Sequence, residues 1–230
     1  MTDVVREVWT DATTRGPAPA LVPVLVLAGV ALLLAQARVV RQAVTVVHEA
    51  GHALVAVLVG RRVSGIRLHA DASGLTLSRG KPRGAGMVAT LLAGYPAPTV
   101  LGVLGAVVLA QGYAVGLLWA FALGTAVLVL AVRNLYGLLV LLAMGGAVAA
   151  VSWFLPPTVV GWIALLLVWS LLLTAPRTVL ELLRTSRRHD SRSDPAQLAR
   201  ITRVPRLLWL LLFLVITVGG AGVGALLLLA

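Results

Sequence analysis

About seven apolar runs, each close to the roughly 20 residues that a membrane-spanning helix needs, dominate this 230-residue chain. They fall at about 20–37, 39–60, 85–110, 113–132, 135–155, 159–183 and 207–230. Such runs leave little polar sequence from which to build a soluble surface: 60% of the residues are hydrophobic and 12% charged, against about a quarter charged in a soluble domain. In hydrocarbon every backbone polar group must be satisfied within the chain, so runs of this length form helices. The expected fold is an all-α polytopic membrane protein with about seven transmembrane helices.

The stretches between the runs set the organisation. Residues 1–19 read as a loosely ordered polar tail, and 20–230 as one integral membrane domain. Ala35-Gln36-Ala37 resembles a signal-peptidase site, but the preceding run is long for a signal core and reads better as an uncleaved anchor. After the second run, Val63–Leu68 and Leu75–Ser78 alternate apolar and polar residues around Asp71, Ser73 and Gly74, which predicts a small β-hairpin over 62–79. Tyr95-Pro96-Ala97-Pro98 should kink or break the third run. The net charge of +11 sits in the connections, including a basic loop at 184–206 that holds Arg184, Arg187, Arg188 and Arg192. This is the positive-inside pattern, so a multi-pass cell-membrane protein whose partner is the lipid bilayer, and not nucleic acid, is expected. With that loop cytoplasmic, counting back places the N-terminus inside and the C-terminus outside, and leaves Arg38 and Arg41 on the wrong side. Arg-rich, Lys-poor usage suggests a bacterial source.

His48-Glu49-Ala50-Gly51-His52 lies within the second run. Ionisable groups are expensive in a bilayer and mark function there. The spacing puts two imidazoles on one helix face, one turn apart, where both reach one metal ion. A glutamate between them is placed to take a proton from a water at that metal. The small residues Ala50 and Gly51 let another helix or a substrate approach closely. With no cysteine in the chain, disulfides, thiolate metal sites and a cysteine nucleophile are excluded, so imidazole and oxygen must do the ligation.

His48–Leu54 on an early membrane helix, followed by a hairpin, resembles the site-2 protease family of intramembrane zinc metallopeptidases, in a compact bacterial branch. Ala93-Gly94-Tyr95, Arg133–Gly137 and Ser193-Asp194 are similar to that branch as well. The resemblance implies Zn2+ held by His48 and His52, Glu49 as the base, and a membrane-protein or peptide substrate cleaved in or near the bilayer. The hairpin would then offer an edge to an extended substrate segment.

The family's third ligand, an Asp in a Leu-Asp-Gly motif, is missing. A catalytic zinc wants three protein ligands, and the oxygens on offer are those of Asp194, Asn134, Glu181 and Asp71; His69 is a further donor. Asp194-Pro195 also reads as a helix start with Asp194 as the cap, and Asn134 as a turn residue. The third ligand stays open, with Asp194 first and Asn134 second. The missing motif also sustains a rival reading, a non-catalytic membrane scaffold that keeps the metallopeptidase fold. A proton-relaying transporter is a third reading, weakened by the lack of a two-fold repeat.

Overall fold

The computed structural model describes residues 2–184 and 192–230; Arg187 and Arg188 of the basic cluster lie outside them. The chain is mostly helical (76%). Among the described residues four helices are long and apolar enough to cross a membrane: α6 (Ala114–Ala131), α7 (Leu135–Phe154), α8 (Pro157–Arg184) and α10 (Arg206–Leu229). The rest of the apolar sequence forms two bent pairs. α2 (Leu21–Leu34) meets α3 (Arg38–Leu58) at 93°, and α4 (Ala85–Ala93) meets α5 (Pro96–Ala110) at 57°. The second break falls at Tyr95-Pro96, as the prolines predict.

Counting each bent pair as one crossing gives up to six spans, so the expected seven are not found. The physical reason lies in α3. Arg38, Arg41, Gln42, Thr45, His48, Glu49 and His52 recur every three or four residues and form one polar face. A helix with such a face cannot be surrounded by lipid.

The packing fixes the level of each element. α5 and α8 run antiparallel, since a side chain at Gly102 would meet Leu172 and one at Gly105 would meet Val168. α2 lies along α8, sharing a core of Val24, Ala31, Leu109, Leu118, Val160, Leu165 and Val168. The Gln36 carboxamide faces Arg177, and Arg41 Nη1 lies 3.4 Å from Glu181 Oε2. The start of α3 therefore sits at the Arg184 end of α8. Its far end lies at the same end of the molecule, where Val59 borders Gly86 and Arg61 bonds Ser78 and the Lys81 carbonyl. Arg38 and Arg41 thus lie at the same end as the hairpin's basic residues and Arg184.

Two expectations for the N-terminus change with this. Residues 2–13 form a helix, α1 (Thr2–Thr13), not a loose tail. Val8 and Ala12 are its less exposed side, and Ala12 lies against Gly116 while Gly16 N donates to the Gly112 carbonyl at 2.9 Å. This docking puts α1 at the end of the bundle opposite Arg184, together with the last turn of α10, whose Leu228 joins the Val24 and Val160 core. Both termini therefore lie at one end, not at opposite ends as the seven-helix count required.

The hairpin forms as the alternation predicts. β1 (Arg62–Leu68) pairs antiparallel with β2 (Gly74–Arg79), with a bulge between Val63 and Gly65. The connection between α6 and α7 adds to its outer edge: Ile66 bridges Val132 in parallel, and Arg133 N donates to the Ile66 carbonyl at 2.8 Å. Ile66, Leu68, Val132, Leu141 and Val46 form a small core beneath. A third core, of Leu91, Val179, Leu198, Leu210 and Phe213, ties α4, α8, α10 and α9 (Asp194–Thr202) together. The Gly220/Gly224 pair is spent within the chain, its faces pressed on Thr99 and Leu172.

Candidate metal centre

α3 carries His48 and His52 one turn apart, and their Nε2 atoms lie 3.1 Å from each other. α9 supplies a third atom from more than 140 residues away in sequence: Asp194 Oδ2 is 3.2 Å from each Nε2. Ser193 caps α9 by accepting from Ala196 N at 3.4 Å, and Pro195 follows in the first turn. The cap is therefore Ser193 and not Asp194, which leaves the Asp194 carboxylate available to turn inward.

Three donor atoms thus form a nearly equilateral triangle with edges of 3.1, 3.2 and 3.2 Å. Ligands about 2.0–2.1 Å from a tetrahedral zinc lie about 3.3–3.4 Å apart, so the triangle has the size of one face of such a site. Their chemistry agrees. His52 Nδ1 is 2.7 Å from the Thr90 carbonyl, which can only accept, so Nδ1 carries a proton and, in the neutral ring, Nε2 keeps the lone pair a metal would take. Asp194 is buried, and among the described residues its Oδ2 faces only the two imidazole nitrogens. Burial pushes the Asp194 carboxyl up, but the neighbouring His52 and His48 outweigh it and hold the group well below the usual carboxylate range. Lone pairs this close repel unless a cation or a proton lies among them.

There is room for the cation. Gly94, at the break between α4 and α5, faces both rings: a Cβ there would lie 2.5 Å from His52 Nε2 and 2.6 Å from His48 Nε2. The next residue, Tyr95, packs its ring edge-on against His48 at 4.8 Å and rests on Phe213 at 5.1 Å. Gly51, on the opposite side of α3 from the hairpin, lets Ala93 and Ala97 close in.

Glu49 is buried (5% exposed) and faces the hairpin. Thr76 Oγ1 lies 2.6 Å from Glu49 Oε2, to which it donates, and 3.0 Å from the Glu49 carbonyl. A side chain at Gly74 would collide with the Glu49 carboxylate, and Thr45 Oγ1 donates to the Ala72 carbonyl at 2.7 Å. The hairpin is therefore fastened lengthwise over α3, with its second strand against the glutamate.

The sequence model of the Peptidase M50B-like family matches residues 20–224. The chain belongs to this family, within the site-2 proteases. No curated protein and no solved structure matches it.

In this M50B-like chain the other oxygen candidates are engaged elsewhere. Asn134 Oδ1 accepts from Leu68 N at 3.2 Å and its Nδ2 donates to the Leu68 carbonyl at 2.7 Å, so it clamps the end of β1. Glu181 pairs with Arg41 and, at 3.2 Å, with Arg177. Asp71 accepts from Ser73 N and Ser73 Oγ in the hairpin turn, where His69 also meets Ser73. Among the described residues, His48, His52 and Asp194 are the group of three that could share a metal ion.

Sequence reasoning missed Thr90, Gly94 and Thr76. Thr90 acts on His52 through its backbone carbonyl, which any residue has. Gly94 was legible as part of a turn, but its closeness to the rings depends on the bend. Thr76 sits at an alternating strand position whose facing side only the docked hairpin reveals.

Proposed function

We propose that this chain is a zinc endopeptidase that hydrolyses peptide bonds of membrane-associated substrates, with His48, His52 and Asp194 as the metal ligands and Glu49 as the general base. The observation that carries the reading is the triangle of donor atoms at 3.1–3.2 Å, one turn of α3 from a buried glutamate. When bound, zinc supplies Lewis acidity, acidifying water and polarising a peptide carbonyl.

The chain's own residues prepare the rest. The Thr90 carbonyl, by accepting from Nδ1, fixes the tautomer and tilt of His52, as partners of ligating histidines usually do. The Thr76 hydroxyl orients the Glu49 carboxylate, which takes the proton from the attacking water and passes it to the leaving amine. A helical substrate hides its carbonyls in hydrogen bonds, so the segment cut must be extended; β2 offers it an edge beside Glu49. The Arg184 end, with Arg41, Arg61, Arg62, Arg79 and Lys81, would face the cytoplasm, and both termini the other side. The partners are the bilayer and a membrane-protein or peptide substrate, not nucleic acid. Asp194 offers an oxygen as the third ligand, which a missing Leu-Asp-Gly motif had put in doubt, and this weighs against the scaffold reading.

The test is cleavage of a synthetic transmembrane peptide by the purified protein. Wild type should cut it and Glu49→Gln should not, with equal zinc in both. Cleavage by the zinc-loaded Glu49→Gln variant would end the proposal.

A further inference from the structure

Three elements leave the metal centre in one direction. On α9, Gln197 and Arg200 follow Asp194 toward the helix end, and Gln197 shares its face at i+3. On α4, Met87 stands one turn before Thr90, the residue that holds His52. On β2, Ser78 lies two residues beyond Thr76 on the same face. Gln197, Arg200, Met87 and Ser78 all line one cleft of about 390 Å³, together with Arg61. The cleft therefore opens about one helical turn (~5.4 Å) or two strand residues (~6.7 Å) from the groups that hold the ligands and the base.

Its charge has one sign. Arg61 and Arg200 line it, and among the described residues no acidic side chain does. Arg61 donates through Nε to Ser78 Oγ at 3.1 Å and through Nη1 to the Lys81 carbonyl at 2.6 Å. Both acceptors are neutral, so they aim the guanidinium without cancelling its charge. A guanidinium fork beside a hydroxyl and a carboxamide suits a carboxylate.

We infer that this cleft is a specificity subsite for a carboxylate on the substrate, an Asp or Glu side chain two or three residues from the bond attacked. The inference rests on the protease reading for the term "substrate", but the binding it claims does not require cleavage. A free C-terminal carboxylate has the same chemistry, and the experiment separates the two sources.

Zinc-loaded Glu49→Gln protein is titrated in detergent with fluorescent synthetic transmembrane peptides. Three are C-terminally amidated and differ only in carrying Glu, Gln or Lys in the polar flank; a fourth is the Gln peptide with a free C-terminus. The Glu peptide should bind roughly tenfold more tightly than the Gln peptide, the scale of one charge-assisted hydrogen bond. That advantage should shrink with added salt, fall below about twofold in Arg61→Gln, and invert toward the Lys peptide in Arg200→Glu. Arg200→Lys, which keeps the charge, guards against a variant that merely loosens the fold, and zinc content reports the integrity of each protein. Equal affinity for the Glu and Gln peptides in the zinc-loaded protein, or an Arg200→Glu variant with an unaltered preference, overturns the subsite. Tighter binding of the free-acid peptide alone replaces the side-chain assignment with a C-terminal one. If the preference holds but wild type cleaves none of the peptides, the subsite stands and the protease reading fails. Cleavage by wild type with no preference for Glu in binding has the opposite meaning.

Discussion

The bent and the straight parts of this molecule differ in what they carry. α6 and α7 run unbroken, expose Leu123, Leu130, Leu139 and Leu142, and hold no charged side chain within their lengths. α2–α3 and α4–α5 are each broken, and the candidate site is built on these pairs: His48, Glu49 and His52 in the middle of α3, with Gly94 at the second break. A straight apolar helix satisfies its own backbone and has nothing left to offer. The polar face of α3 carries groups that must be paired within the protein, and that need brings a hairpin, a capped helix and a glycine together around it.

The sharpest way to break this comparison is to remove a ligand. Asp194→Ala and His48→Ala should each lower zinc content from about one equivalent to near zero, since a three-ligand site does not survive as two. Leu139→Ala on the exposed face of α7 should leave zinc unchanged. Metal analysis of the purified proteins decides it, and full zinc in Asp194→Ala would remove α9 from the site.

Gly94→Ala comes next. Alanine is the better helix former by roughly 0.5–1 kcal/mol, and Gly94 has ordinary helical dihedrals. On helix propensity alone the variant should be as stable as wild type or more so. Because the added carbon falls 2.5–2.6 Å from both Nε2 atoms, zinc affinity should nevertheless drop at least about tenfold. A competition titration with a zinc chelator measures the loss, and thermal unfolding of the zinc-free protein measures the stability. Unchanged affinity would mean that the rings face elsewhere.

The same contrast explains what the sequence could tell. Long, unbroken apolar helices announce themselves by composition alone, and α6, α7, α8 and α10 were legible for that reason. The hairpin was legible because one face of it is buried on α3, which forces alternation. The histidine pair was legible because its geometry is local, at i and i+4. Asp194 was not decided because its role depends on a docking more than 140 residues away, and Ser193-Asp194-Pro195 fits a helix cap equally well. The count of seven failed on α3, although the signal was present: polar residues from Arg38 to His52 line one face, a pattern closer to an amphipathic helix than to a plain span. Reading that face as a stripe, and not only the two histidines, would have moved Arg38 and Arg41 to the basic end.

Asn134 gives a test at the boundary between the two parts. It joins the straight half to the hairpin by two hydrogen bonds to Leu68. Asn134→Ala should destabilise the hairpin by about 1–3 kcal/mol, the cost of leaving partly buried groups unpaired, and should leave zinc bound. Hydrogen exchange at the Leu68 amide reads the first effect. Loss of zinc with intact protection there would restore Asn134 as a ligand.

Thr76→Val keeps the shape of the side chain and removes the donor to Glu49. If the hydroxyl positions the base, kcat on a synthetic transmembrane peptide should fall roughly tenfold, with KM and zinc content unchanged and Thr76→Ser restoring activity. A rise in KM alone would assign Thr76 to substrate binding.

The smallest effect is expected at the exposed hairpin tip, where Asp71 is open to solvent. The Ser73 hydroxyl and then the Ser73 amide, both donating to Asp71 Oδ1 at 2.7 and 3.0 Å, hold the Asp71 carboxyl below its usual range. A carboxyl whose pKa is lower folded than unfolded stabilises the fold above the unfolded value, near 4, and loses that contribution as the pH falls through the folded value. The group is exposed, so solvent screens the effect and only local protection should respond. Exchange of the Ser73 amide, corrected for its intrinsic pH dependence, should speed up below about pH 4 in wild type and show no such step in Asp71→Asn. A step of equal size in both would place the titration elsewhere, and the tip would then be held by Thr45 on the Ala72 carbonyl and by the bonds between His69 and Ser73.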